Sequence, residues 1–246
     1  MTVAPPFPVR LTQVVAPGLM EAHVHFVAPH AVTPETMQAL AGLASAFAVF
    51  GHWGGFAGSR LKPGPGGFTL TSLVPAADGS WPLRFTDVHA DPGVLGVLLK
   101  ALSRFSLDLS TIEAVHCVAD EAFDAQGNAP SSLAPPPFPV EDWREGNRSM
   151  VLEIELAEPT TPESRRLVSE VWAAWATLGQ LGAFSADDTG LASAQVLVTE
   201  PPLSLEGEMR FFHERLRMSR AGTQCLVNAL HGLHGRAVHI EGVVLA

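Results

Sequence analysis

Between Met20 and Ala28 apolar and polar residues alternate, with Ala22, Val24 and Phe26 on one side and Glu21, His23 and His25 on the other. A period of two marks a strand with one buried face. The same pattern returns with Leu152, Ile154 and Leu156 opposite Glu153 and Glu155. After each strand comes Thr-Pro-Glu, at 33–35 and again at 161–163. The Thr suits an N-cap and the Pro the first helical position. Leu40, Leu43, Phe47 and Phe50, and likewise Val168, Val171, Trp175 and Leu178, then recur at helical spacing, with Gly51 and Gly179 as the expected helix ends. Phe68 to Pro75 and Leu83 to Ala90 have strand composition around the turn Ala76-Ala77-Asp78-Gly79, and Val196 to Glu200 and Met209 to Leu216 are their counterparts. A second amphipathic helix carries Val97, Leu98, Leu102 and Phe105, matched by Cys225, Leu226, Leu230 and Leu233. Ile112 to Ala119 and Val238 to Leu245 read as closing strands.

These parallels share one register. Thr33 maps to Thr161, Gly51-His52-Trp53-Gly54-Gly55-Phe56 to Gly179-Gln180-Leu181-Gly182-Ala183-Phe184, Ala101-Leu102 to Ala229-Leu230, and Ile112 to Ile240, each at an offset of 128 residues. Upstream, Met20 maps to Met150 at an offset of 130, a two-residue loop difference. The chain therefore reads as two homologous halves, Gly18 to Asp120 and Ser149 to Ala246, joined by a Pro- and acid-rich linker, Glu121 to Arg148. The order β-α-β-β-α-β is that of the ferredoxin-like unit. The expected fold class is α+β: a tandem duplication of this unit, with two four-stranded antiparallel sheets, each covered by two helices on one face. Packing the bare faces against each other is the arrangement expected first.

Length and composition narrow the setting. The chain has 246 residues, 47% of them apolar and 16% charged, which suits globular domains with real cores. Fifteen Lys and Arg against 25 Asp and Glu give a net charge of −10, which repels phosphate backbones and anionic lipid. No nucleic acid and no membrane is expected as a partner. The longest apolar run, Leu40 to Phe50, is about half of what a membrane span requires, and the start of the chain lacks the apolar core of a secretion signal. A soluble, cytoplasmic protein is expected. Cys117 and Cys225, the only cysteines, sit among apolar neighbours and read as buried reduced thiols.

Residues present in only one half are where chemistry is sought, since shared residues serve the shared fold. His23 and His25 lie about 7 Å apart on one strand face, a spacing from which two imidazoles can converge on a zinc-sized ion. His89 or His116 on flanking strands is the candidate third ligand, and Glu153 and Glu155 stand at the equivalent places of the second half. With the sheets face to face, His23, His25, Glu153 and Glu155 become a candidate divalent-metal site or a charge-paired interface. The loop from His52 to Gly67 has six glycines in sequence with Trp53, Arg60 and Lys62, so His52, Trp53, Arg60 and Lys62 are candidate ligand-binding residues for an anion. It carries no phosphate-loop spacing, and the Ser59/Lys62 match to S-x-x-K lacks its companion motifs. The stretch from Phe212 to Arg220 is the densest charge cluster and reads as a solvated strand end or a docking patch.

No nucleophile motif with an identifiable base is present. The expected function is a non-catalytic binding protein for a small ligand or a protein partner. Two alternatives stand beside it: a metal-dependent enzyme of αβ-barrel type with its His/Glu site between the halves, and an inhibitor- or immunity-like interaction module that sets its acidic surface against a basic partner. A homodimer is left open.

Overall fold

The computed structural model describes residues 5–28, 32–57, 68–72, 74–125, 135–143, 149–157, 160–184, 203–205, 207–214 and 220–246. In chain order the first half has β1 (Val9–Val14), β2 (Met20–Phe26), α1 (Pro34–His52), β3 (Thr69–Ser72), β4 (Trp81–Thr86), α2 (Val94–Asp108) and β5 (Ile112–Asp120). The second has β6 (Val140–Asp142), β7 (Ser149–Leu156), α3 (Pro162–Gln180), β8 (Leu203–Leu205), β9 (Glu208–Glu214), α4 (Arg220–Leu233) and β10 (Ile240–Leu245). The fold is α+β. Its two five-stranded sheets run β1-β5-β2-β4-β3 and β6-β10-β7-β9-β8, the same order in both halves.

Both sheets are mixed, not four-stranded and antiparallel. The added strands β1 and β6 pair in parallel with β5 and β10, while every other pairing is antiparallel. Each is led in by the same tripeptide, Phe7-Pro8-Val9 and Phe138-Pro139-Val140. Phe7 and Phe138 are both buried. The carbonyls of Pro8 and Pro139, the residues that precede each strand, accept from Val115 N (3.1 Å) and Val243 N (3.1 Å). The stretch expected as a linker thus carries an edge strand and two core phenylalanines, Phe123 and Phe138.

Local expectations hold where the signal is contiguous. The Thr33 and Thr161 side chains accept from Thr36 N and Ser164 N, with Pro34 and Pro162 opening the helices. The helix ends lie slightly later than expected. The helices run through Gly51 and Gly179, and the left-handed residues are Gly54 (φ 81°) and Gly182 (φ 68°). Gly51 has a packing role instead: a Cβ there would stand 2.5 Å from the Phe68 ring. The strand expected at Val196 to Glu200 lies outside the described residues; β9 pairs with β7 on one side and with the short edge strand β8 on the other.

Ala22, Val24 and Phe26, and Leu152, Ile154 and Leu156, are all buried, facing the helices. Phe47 of α1 meets Phe85 of β4 (5.5 Å between ring centroids) and Phe26 of β2 meets Phe105 of α2 (6.3 Å), so both helices cover one face of the first sheet. In the second, Trp172 lies 5.1 Å from Phe211, and Trp175 Nε1 donates to Gly222 O at 2.8 Å, tying α3 to α4.

The halves do not meet sheet to sheet. Helix α1 packs on α3, Phe50 and Phe56 contact Phe184 at 5.8 and 6.5 Å, and Asn228 Nδ2 donates to Ala57 O at 3.0 Å. The helices form the inner layers and the two sheets the outer ones. No helix among the described residues is long and apolar enough to cross a membrane.

Candidate functional site

With helices inside, the polar face of each sheet looks outward, and no described helix packs on it. On the first sheet, strand alternation brings Glu21, His23 and His25 of β2 beside His116 of β5 and Arg84 of β4, with His23 opposite His116 in register. The two rings lie 6.1 Å apart. His116 Nε2 and Thr12 Oγ1 are 3.0 Å apart. Burial, then Arg10, His23 and His25, hold the His116 pKa below the ordinary imidazole value.

A hydrogen-bonded chain crosses this face. Ser80 N and Oγ donate to Asp78 Oδ1 at 2.9 and 2.7 Å, Ser80 Oγ lies 3.4 Å from His23 Nδ1, and His23 Nε2 lies 3.0 Å from Glu21 Oε2. Glu21 Oε1 in turn takes Arg84 Nε at 2.9 Å. The Ser80 hydroxyl and then its amide hold the Asp78 carboxyl below the usual range. Ser, His and Glu in sequence invite a nucleophile reading. The geometry argues against it, because Ser80 is fully buried and its hydroxyl donates to Asp78. The chain of bonds fastens the β3–β4 turn to β2.

The second sheet's outer face is dominated by carboxylates. Glu153 and Glu155 of β7, Glu208 of β9, Glu241 of β10 and Glu141 of β6 line a depression of about 670 Å³, floored by Pro139 and Gly242. Among the described residues one guanidinium answers them: Arg210 Nε lies 2.8 Å from Glu208 Oε1 and 3.1 Å from Glu153 Oε1. Its pKa is raised by the hydrogen bond to Glu208, with Glu153 adding to it. Glu141, Glu155 and Glu241 have no ion pair with a described residue.

The expected metal set does not assemble. His23 and His25 stand on one outer face, Glu153 and Glu155 on the other, with two helix layers between. Among the described residues no group of three or more His, Cys, Asp or Glu side chains is placed to hold a metal ion. His116 does lie beside His23, whereas His89 falls beyond the end of β4 and is exposed. Of the loop candidates, Arg60 and Lys62 lie outside the described residues. His52 and Trp53 stack edge to face at 5.0 Å. The Trp53 carbonyl lies where a Cβ on Gly232 would stand 1.9 Å away, so this segment seats α4 of the other half. In the Phe212 to Arg220 cluster, residues 215–219 lie outside the described residues. Burial pushes the Cys117 thiol up to about 12 and raises that of Cys225 further, so neither is a nucleophile at neutral pH.

Sequence reasoning does not single out the acidic depression. Its glutamates come from four strands, and only Glu153 and Glu155 share one. Glu153-x-Glu155 and Glu208, set beside the Phe-Pro-Val lead-in to Glu141, are the signal that could have found it. The chain matches no protein-family model, and no curated protein shows significant similarity to it.

Proposed function

We propose that this chain is a non-catalytic binding protein that takes a cationic ligand or partner segment on the outer face of its second sheet. The observation that carries this reading is the depression lined by five glutamates and answered, among the described residues, by Arg210 alone. Carboxylates only accept hydrogen bonds. A concave face built of them favours Lys-, Arg- or amine-bearing groups through charge-assisted bonds. The test is titration with a short Lys/Arg peptide at low ionic strength, followed by calorimetry. We expect saturable binding that weakens with salt and is lost in Glu141→Gln/Glu155→Gln/Glu241→Gln. Binding unchanged in that variant would refute the reading.

We also propose that the two halves descend from one βαββαβ unit of ferredoxin-like type by tandem duplication. The common 128-residue register, the paired Thr-Pro caps, the paired Phe-Pro-Val lead-ins and the identical strand orders support it. Under this reading the halves share a scaffold and have diverged in the charge of their outer faces.

A further inference from the structure

Beside the acidic depression, a row of apolar side chains crosses four strands of the same outer face. Val151 of β7 stands opposite Phe212 of β9 and exchanges both backbone bonds with Ala246, at 2.7 and 2.9 Å. Trp143 N donates to Leu245 O at 2.7 Å, which carries the β6–β10 ladder one residue past Asp142 and sets Trp143 on the same face as Glu141. Trp143 is 67% exposed; Val151 and Phe212 are half-buried and Ala246 is exposed. Val244, opposite both Glu141 and Glu153, joins the row to the depression. In the first sheet the places of the same strand order and register are Thr12, Val118, Glu21 and Arg84, and Glu21 Oε1 pairs there with Arg84 Nε at 2.9 Å. A sheet of this order therefore closes without an apolar row at these places. Single exposed apolar side chains are ordinary, whereas a contiguous set rimmed by charge marks an interaction surface, and Trp and Phe are enriched in such surfaces.

We propose that the apolar row and the adjoining glutamates take one ligand together: an amphipathic basic segment of a partner protein, with apolar side chains on Trp143, Val151 and Phe212 and Lys or Arg side chains among the glutamates. The inference rests on the reading of the acidic face given above and names its ligand class. Charge selects the occupant. Among the described residues the five glutamates face only Arg210, which Glu208 and Glu153 already engage, so an apolar group reaches the row best when it brings cations with it. Arg144, Arg148, His213, Arg215 and Arg217 adjoin these strands in sequence or lie on them; counted with Asp142, Glu145 and Glu214, they still leave acids in excess. Spacing fits as well. Same-face rows lie about 6.7 Å apart, so Glu153 is one step from the apolar row and Glu155 two steps, about 13 Å. On a helix, residues i+4 and i+8 rise about 6 and about 12 Å, which brings Lys or Arg one and two turns from an apolar anchor to those rows. Four strands about 4.8 Å apart and three rows make roughly 400 Å². That is about half of what each partner of a standard interface buries, and it suits a short segment better than a second folded copy.

The probes are two helical peptides of about 14 residues, about 21 Å long, with equal numbers of lysines; one carries Leu and the other Ser at the positions between them. Calorimetry on the full chain should give the Leu peptide an affinity about tenfold or more above that of the Ser peptide. At about 0.5 M salt only the Leu peptide should keep measurable binding, because salt screens charge and leaves apolar burial in place. Trp143→Thr/Val151→Glu/Phe212→Arg writes the first sheet's row into the second without altering net charge, and it should bring the two peptides to equal affinity. Should that variant not fold, Trp143→Thr at the exposed indole should lose part of the preference. A preference that survives in both row variants would overturn the inference. Equal affinities in the wild type, both lost in Glu141→Gln/Glu155→Gln/Glu241→Gln, would overturn it too and leave the acidic-face reading standing. Leu-peptide binding that the glutamate variant does not weaken, or binding of neither peptide, removes both. A wild-type chain that sediments above the 26.1 kDa of one copy, and returns to it in Trp143→Thr, would give the row to a second copy and sink the inference.

Discussion

Asn228 and Ala57, 171 residues apart, are joined by a buried 3.0 Å hydrogen bond from the Asn228 amide to the Ala57 carbonyl. The Asn228 Oδ1 accepts from Gln224 Nε2 at 3.1 Å, so both ends of the amide are used. This bond links α4 to the segment that follows α1, across the contact between halves. Asn228→Ala leaves a buried carbonyl without its donor, and we expect a loss of about 1–3 kcal/mol. Equilibrium urea unfolding measures it. An unchanged midpoint would show that the bond carries no net stability.

Two helical glycines should respond to alanine with opposite signs. Gly42 on α1 is exposed, and a Cβ added there would meet nothing within 4 Å, so Gly42→Ala should gain about 0.5–1 kcal/mol from helix propensity alone. At Gly232 the new methyl would meet Trp53 O at 1.9 Å. Backbone cannot yield as a side-chain tip does, and overpacking by about 1–3 kcal/mol should outweigh the propensity gain. Thermal melts of the two variants should move in opposite directions; a rise in both would mean that the halves are more loosely docked than the structure shows.

Phe47 and Trp175 occupy equivalent sites on α1 and α3 and are both fully buried. Truncating either to Ala should cost about 3–5 kcal/mol, a large share of a domain's stability. Trp175→Phe keeps much of the ring but drops the Nε1 bond to Gly222 O. It should fall between wild type and Trp175→Ala in denaturant midpoint. Equal losses for the two Trp175 variants would assign the whole effect to the indole bond.

The elements legible in the sequence are those whose signal lies within a few residues: the alternation at Ala22, Val24 and Phe26, the Thr33 and Thr161 caps, and the Asp78-Gly79 turn. Strands β1 and β6 escape it because each follows a proline at a sheet edge and has no fully buried position to make an alternation visible, although Phe-Pro-Val at 7–9 and 138–140 repeats the same lead-in. The packing of the halves departs from expectation for a different reason. Sheet-to-sheet and helix-to-helix docking both bury apolar surface, and strand periodicity does not separate them. Helix α1 does. It buries Leu40, Leu43, Ala44, Ala46, Phe47, Ala48 and Phe50, more than one face's worth, and a helix apolar on two sides is covered on two sides. The acidic depression is harder still to read, since its carboxylates meet only once four strands are in register.

His231 and His234 lie near Phe138, at ring distances of 6.5 and 5.4 Å, and His234 stacks on His239 at 4.8 Å. Burial holds both His231 and His234 below the ordinary imidazole pKa; the neighbouring imidazole, His234 for the first and His239 for the second, lowers each further. His234 Nδ1 also accepts from Ile240 N at 3.1 Å, which needs that nitrogen's lone pair. In the unfolded chain such groups take up protons near about 6.5, and in the folded chain only at lower pH. Between those values the unfolded state binds more protons, so stability rises with pH. Their contribution is thus complete above about 6.5 and is lost as pH falls through the folded values. His231→Gln/His234→Asn retains polar groups of similar reach, including an acceptor for the Ile240 N–H, but cannot titrate. Its melting temperature should fall less than that of wild type between about pH 7.5 and about pH 5. His116, with its pKa also lowered, acts equally in both proteins, so the difference between the two slopes reports the pair. Parallel slopes would show that His231 and His234 titrate alike in the folded and unfolded chain.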